Sequence, residues 1–287
     1  MARNDLPELR RPVLLAAFGG WNDAGDVASA AIEHLALSWD ATDLYDIDPD
    51  DYYDYQSSRP MMHQVKGVLR RLEWPSTGIS YCRLPKADRD VVLVLGLEPN
   101  LRWRVFCQEI VDLAVSLGVE TVVTMGSVLA DTPHTRPVPI AGTADSPEAA
   151  KRHGFTDSKY EGPVGITGVL HDAFIQAGVP SLALWASVPH YVGHPPNPKA
   201  TLALLGKLEE IVELPIPRGV LPDQAADWEK TIDEMTADDE DMAAYVRELE
   251  EREDTEADID ETMSQVDGDT LAAEFEKYLK RQQGDGT

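Results

Sequence analysis

The apolar residues of this chain come in short continuous runs, separated by longer segments with an apolar residue every third or fourth position. Val13 to Phe18 is one such run, closed by Gly19-Gly20, and suits a strand buried on both faces. From Asp23 to Leu37, Val27, Ala31 and Leu35 share one helical face, with Asn22 or Asp23 placed to cap it. Leu44 to Ile47 and Ile79 to Leu84 are weaker strands. Asp40 to Arg59 otherwise looks like a surface loop, with Tyr45, Tyr52, Tyr53 and Tyr55 exposed among aspartates. Val91 to Leu97 is the clearest buried strand and ends at Pro99. The next helix, capped by Asn100, carries Phe106, Ile110, Leu113 and Leu117 on one stripe and stops at Gly118.

Further along, Thr121 to Met125 predicts a strand that ends at Gly126-Ser127. Val164 to Thr167 predicts a short strand leading into a helix closed by Gly178. Leu182 to Val188 predicts another buried strand, ended by Pro189. Asn197-Pro198 then opens a helix with proline at its first position, and Leu202, Leu205, Leu208 and Val212 form its apolar face. Strands alternating with helices of this length predict an α/β fold, a mainly parallel twisted sheet flanked by helices.

After Pro222 the pattern changes. Trp228, Ile232 and Met235, then Met242, Val246 and Leu249, then Leu271, Phe275 and Leu279 are narrow apolar stripes on acidic helices. The net charge is −26. Between Asp223 and Thr287 there are 23 acidic and 6 basic residues, so this quarter of the chain holds most of the excess. We therefore expect an α/β core over residues 1–218 and an acidic helical extension over 223–287. The run Glu248 to Glu261 is acidic enough to be partly mobile.

Such a charge argues against nucleic acid and anionic membranes as partners, because phosphate contacts need clustered Lys and Arg. No apolar run reaches the roughly 20 residues of a membrane span, and residues 1–11 lack the apolar stretch of a signal peptide. Cys82 and Cys107 give neither a disulfide framework nor a metal motif. A cytoplasmic location is the expectation.

If the strands are parallel, the polar motifs that follow them gather along one sheet edge, where open α/β folds bind ligands. The candidate pocket residues are Gly20, Trp21, Asn22, Asp23, Glu98, Ser127, Asp131, His134, Arg136, Glu161 and His190. Gly20 to Gly25 has phosphate-loop spacing, but Asp26-Val27 follows where Lys and Ser or Thr are required. Two carboxylates at that helix start take the place a phosphate would occupy. Glycines do not flank Ser127 as a nucleophile elbow requires. Asp131, His134, Glu161 and His190 lack a dense ligand spacing, so no metal is expected. Arg136 could meet an anionic substrate or pair with Asp131, Glu98 or Glu161.

Taken together, Gly20 to Gly25, Gly96-Leu97-Glu98-Pro99, Asp131 to Pro137, Tyr160-Glu161-Gly162-Pro163 and Trp185 to Thr201 resemble the proteasome assembly chaperone type 2 family, in its actinobacterial branch. The resemblance runs from about Val13 to Val212. It implies a fold similar to purine nucleoside phosphorylases, self-association, and a role in proteasome assembly with proteasome subunits as partners. No glycine-rich loop with an adjacent lysine is present to hold ATP, so no cofactor is expected. The leading reading is a binding or assembly-chaperone-like protein. The alternatives are a small-molecule enzyme of nucleoside phosphorylase or hydrolase type and an oligomeric scaffold.

Overall fold

A computed structural model describes residues 6–65, 69–156 and 160–265. The chain divides into two compact units, with the division between Asp233 and Glu234. The first unit is built on a seven-stranded sheet. Its strands are β1 (Val13–Gly19), β2 (Thr42–Ile47), β5 (Thr77–Cys82), β6 (Val91–Leu97), β7 (Thr121–Ala130), β8 (Ile140–Ala144) and β9 (Ser181–Pro189). Their order is β2-β5-β6-β1-β7-β9-β8. The centre, β6-β1-β7-β9, is parallel. The flanking strands β5, β2 and β8 join antiparallel. Met61–Val65 (β3) and Leu69–Glu73 (β4) form a separate two-stranded hairpin.

Alternation along β1 divides the core in two. Val13, Leu15 and Ala17 join the cluster that includes α1 (Val27–Ser38) and α5 (Pro198–Val212). Leu14, Ala16 and Phe18 join the one that includes α2 (Trp103–Ser116) and α4 (Ile166–Gln176). A strand covered on both faces must be apolar throughout, which is why β1 is a run rather than an alternation. Phe18 meets Phe106 edge to face at 5.8 Å between ring centroids. Burying each such side chain contributes about 1.5–3 kcal/mol.

Several expectations are corrected. β7 does not stop at Gly126-Ser127; it continues to Ala130, because β9 offers a partner as far as Pro189. Gly126 is a packing position rather than a turn, since a Cβ there would lie 2.4 Å from the Trp185 ring. Val164 and Gly165 form no strand but lead directly into α4. The tyrosine loop is not an exposed surface. Tyr52 and Tyr53 are buried, and the backbone carbonyl of Tyr52 accepts from the N–H groups of Asn100 and Leu101. Asn100 caps no helix; its side chain accepts from Asp54 N and Ser58 Oγ. Asn197 does cap α5, accepting from Ala200 N at 3.0 Å.

A short helix, α3 (Pro147–Arg152), follows β8 and is capped by Ser146. The acidic segment forms α6 (Leu221–Ala237) and α7 (Glu240–Gln265). Glu248 to Glu261, expected to be partly mobile, is helical within α7. Glu248 and Arg252 stand four apart in the favourable order there. The stripe Leu271, Phe275 and Leu279 lies outside the described residues. No described helix is long and apolar enough to cross a membrane.

Candidate functional site

The turn after β1 is shaped by backbone geometry. Gly20 and Gly25 have φ of +120° and +66°, and Asp26 is also left-handed at 53°. This swings the chain through a one-turn 3-10 helix at Ala24–Asp26 before α1 begins. The Asp23 carboxylate then reaches forward. It accepts from Ala28 N at 2.7 Å, Ser29 N at 3.2 Å and Ser29 Oγ. Three residues ahead of the formal cap position, it supplies the capping that α1 needs.

Ser127 lies beneath this turn. Its N–H donates to Asn22 O at 2.8 Å, and its hydroxyl lies 2.8 Å from Ala24 O and 3.2 Å from Asp23 Oδ1. Asp23 and Ser127 are both buried. Burial pushes the Asp23 carboxyl above its usual range, opposed by the Ser29 hydroxyl and the Ala28 and Ser29 N–H groups. The pair ties the β1 turn to β7.

Glu98 plays a similar part. Its Oε1 accepts from Asn22 Nδ2 at 2.9 Å and from Ile166 N at 2.8 Å, so one carboxylate joins the β1 turn to the N-terminus of α4. A negative group is favoured at that end of the helix. The fit is tight, because a Cβ on Gly165 would lie 1.8 Å from Asn22 Nδ2.

Beside this knot opens a cavity of about 910 Å³. Of the sequence candidates, Gly20, Trp21 and Asn22 line it; Asp23, Glu98, Ser127, Asp131, His134, Arg136, Glu161 and His190 do not. Its other walls come from Val128 and Leu129 at the end of β7, Tyr160 and Val164 before α4, and Trp185 of β9. Trp21, Val128, Leu129, Tyr160 and Val164 are all substantially exposed. Sequence reasoning proposed Trp21 and missed Val128, Leu129, Tyr160 and Val164 as pocket residues. The signal for Val128 and Leu129 was the continuation of the β7 apolar run past Gly126-Ser127, where the sequence reading ended the strand.

The remaining candidates lie elsewhere. His134 is buried; its Nδ1 is 2.7 Å from the Tyr191 hydroxyl and its Nε2 is 3.0 Å from Asp233 of α6. Lys199 donates to the His134 carbonyl and to Glu229 of α6. This group fastens α6, through Glu229 and Asp233, onto the rest of the first unit. Asp131 and His190 form an exposed pair at 3.6 Å. Arg136 is half-buried in the segment before β8, and Glu161 is exposed. Among the described residues, no three His, Cys, Asp or Glu side chains are grouped to hold a metal.

The sequence profile of the PAC2 family matches residues 17–236. The chain belongs to the PAC2 family. This PAC2 protein is 53% identical to a proteasome-assembly chaperone homologue from Mycobacterium tuberculosis, over 82% of this chain and 99% of that one, with a TM-score of 0.76. It is 49% identical to a PAC2 family protein from Streptomyces avermitilis, again over 82% and 99% of the two chains, with a TM-score of 0.77. Its fold is shared with an archaeal proteasome activator from Pyrococcus furiosus, at 16% identity, 80% and 96% coverage and a TM-score of 0.65. No protein of curated function matches the chain.

Proposed function

We propose that this PAC2 protein is a cytoplasmic, self-associating assembly-chaperone-like protein whose strand-end face binds proteasome subunits. One observation carries the reading: the polar groups on that edge are spent on one another, and apolar groups are left facing outward. Asp23, Ser127, Asn22 and Glu98 bond among themselves and to helix N-termini. Trp21, Val128, Leu129, Tyr160 and Val164 remain exposed together around one opening. Grouped exposed apolar side chains mark a binding surface more than a catalytic one. The name borne by the 53% identical mycobacterial relative points the same way.

Self-association has its own support. The β3-β4 hairpin exposes Met61, Met62, Val65 and Leu72, with Trp74 just beyond it. An isolated two-stranded hairpin is marginally stable unless something packs on it. A phosphorylase-type reaction is less well supported, because among the described residues no Lys or Arg lines the cavity to hold an anion.

Co-expression with proteasome α and β subunits, followed by native mass spectrometry, tests the reading. A stoichiometric complex is expected with the wild type. Its loss is expected in Leu129→Asp, at a side chain that is 47% exposed on that face. No complex at micromolar subunit concentration would refute the proposal.

A further inference from the structure

The interior of the cavity carries a chemistry that binding at its rim does not use. About 910 Å³ is the scale of a small-molecule site. Room is made by the small residues Gly142, Gly165, Gly168 and Ala183, and flat apolar surface by Trp21, Tyr160 and Trp185. Among the described residues, no Asp, Glu, Lys or Arg lines it. An ionised ligand would lose its hydration there and meet no counter-charge from the described residues.

His171 supplies the polar handle. It projects from α4 into the lining, and its Nδ1 lies 2.8 Å from the buried Ser181 hydroxyl. Nε2 has no partner among the described residues. Burial lowers the His171 pKa, against the pull of Asp145 and Asp172, and so disfavours the charged ring. The Ser181 bond fixes the orientation of the ring, leaving Nε2 as one oriented hydrogen-bonding atom in an apolar chamber, a donor or an acceptor according to the tautomer. An apolar cavity with few convergent polar groups is how small-molecule sites are generally built.

We propose that this cavity binds an uncharged, ring-bearing small molecule, held against Trp21, Tyr160 and Trp185 and hydrogen-bonded to His171 Nε2. The occupant is neutral because no described wall residue carries an Asp, Glu, Lys or Arg charge, and flat because three aromatic side chains border one space. The proposal does not depend on the assembly role.

The probe is N-phenyl-1-naphthylamine, a neutral aromatic amine whose emission rises in apolar surroundings, titrated into the full-length chain. Saturable one-to-one binding is expected, with energy transfer from tryptophan. Gly168→Leu tests the location. Leu is the better helix former, and a Cβ at this position would sit 3.3 Å from the Cβ of Val164, beside the chamber. This variant is expected to weaken the probe by about tenfold or more while keeping the wild-type circular dichroism. It should also still bind proteasome subunits, which separates failure of this proposal from failure of the assembly reading. Trp21→Ala, at an exposed position, is expected to lower both affinity and energy transfer. It decides the matter if Gly168→Leu does not fold. 8-Anilinonaphthalene-1-sulfonate, the same ring skeleton with a charge, is expected to bind about tenfold more weakly. Non-saturable binding, equal binding by the folded variants, or equal affinity for the sulfonate would each overturn the proposal.

Discussion

Replacing Asp23 by alanine should unfold this protein at a measurably lower temperature, because the carboxylate closes a helix rather than performing chemistry. Four donors meet it: Ala28 N, Ser29 N, Ser29 Oγ and Ser127 Oγ. Two have fallbacks. Ser127 Oγ keeps Ala24 O at 2.8 Å, and Ser29 Oγ keeps Asp26 O at 3.3 Å. Ser29 N is partly buried, so water can reach it. Ala28 N is fully buried and loses its acceptor. Cap loss costs about 1 kcal/mol, and an orphaned buried N–H about 1–3 kcal/mol. Relief from burying a charge offsets part of this, so a net loss of about 2–3 kcal/mol is expected. For a unit of this size that lowers the melting temperature by roughly 4–12 °C.

Asp23→Asn keeps a capping oxygen without the charge and should lose only about 1 kcal/mol. The pH dependence has a definite sign. The folded-state pKa is raised by burial, so the Asp23 contribution is complete below the unfolded value of about 3.9 and is lost as pH rises through the folded value. Wild type should therefore lead Asp23→Asn by more at pH 4 than at pH 7. Thermal melts at the two pH values, followed by circular dichroism, measure both effects. An Asp23→Ala melting temperature within 1 °C of wild type, or a lead that grows with pH, would refute this account of the knot.

Asp90→Ala should cost about 2 kcal/mol, since its buried carboxylate accepts from Arg10 N, Arg10 Nη2 and Leu84 N. Burial alone would raise the Asp90 pKa, but the Arg10 side chain and the two N–H groups bring it below the usual range; this stability is present above about pH 3.9 and lost as acid titration passes the folded value. His134→Ala, which removes the Asp233 and Tyr191 contacts of the ring, should speed protease cleavage within Leu221–Asp233 while leaving the α/β core resistant. The hydrogen bond to Glu109, with burial, pushes the Tyr45 phenol up to about 12. Its contribution is complete below about pH 10 and is lost as pH rises through the folded value. Absorbance titration at 295 nm should show Tyr45 ionising earlier in Glu109→Gln.

Much of the architecture was legible because burial on both faces leaves a plain mark. Val13–Phe18, Val91–Leu97 and Leu182–Val188 are apolar runs that few other structures explain, and Asn197-Pro198 announces α5. The parts missed had weaker marks. β8 is Ile-Ala-Gly-Thr-Ala, too small to advertise a strand, and Gly142 is there because the Phe155 ring covers it. β3 and β4 stand apart from the main sheet, so no core imposes alternation on them. The tyrosines among aspartates looked solvated. Yet Glu109 of α2 gathers the hydroxyls of Tyr45 and Tyr52, a contact between residues far apart in sequence. At the candidate site, residue type told which side chains could do chemistry but not which were already paired. Ser127 and His134 have suitable chemistry, but both are buried in bonds to other parts of the chain.

The measurement that tests the central claim most directly is native mass spectrometry of the wild type and Leu129→Asp, each co-expressed with proteasome α and β subunits. The account predicts a defined complex with the wild type and none with the variant, both proteins being folded by circular dichroism. A complex that survives Leu129→Asp, or none with either protein at micromolar concentration, would contradict it.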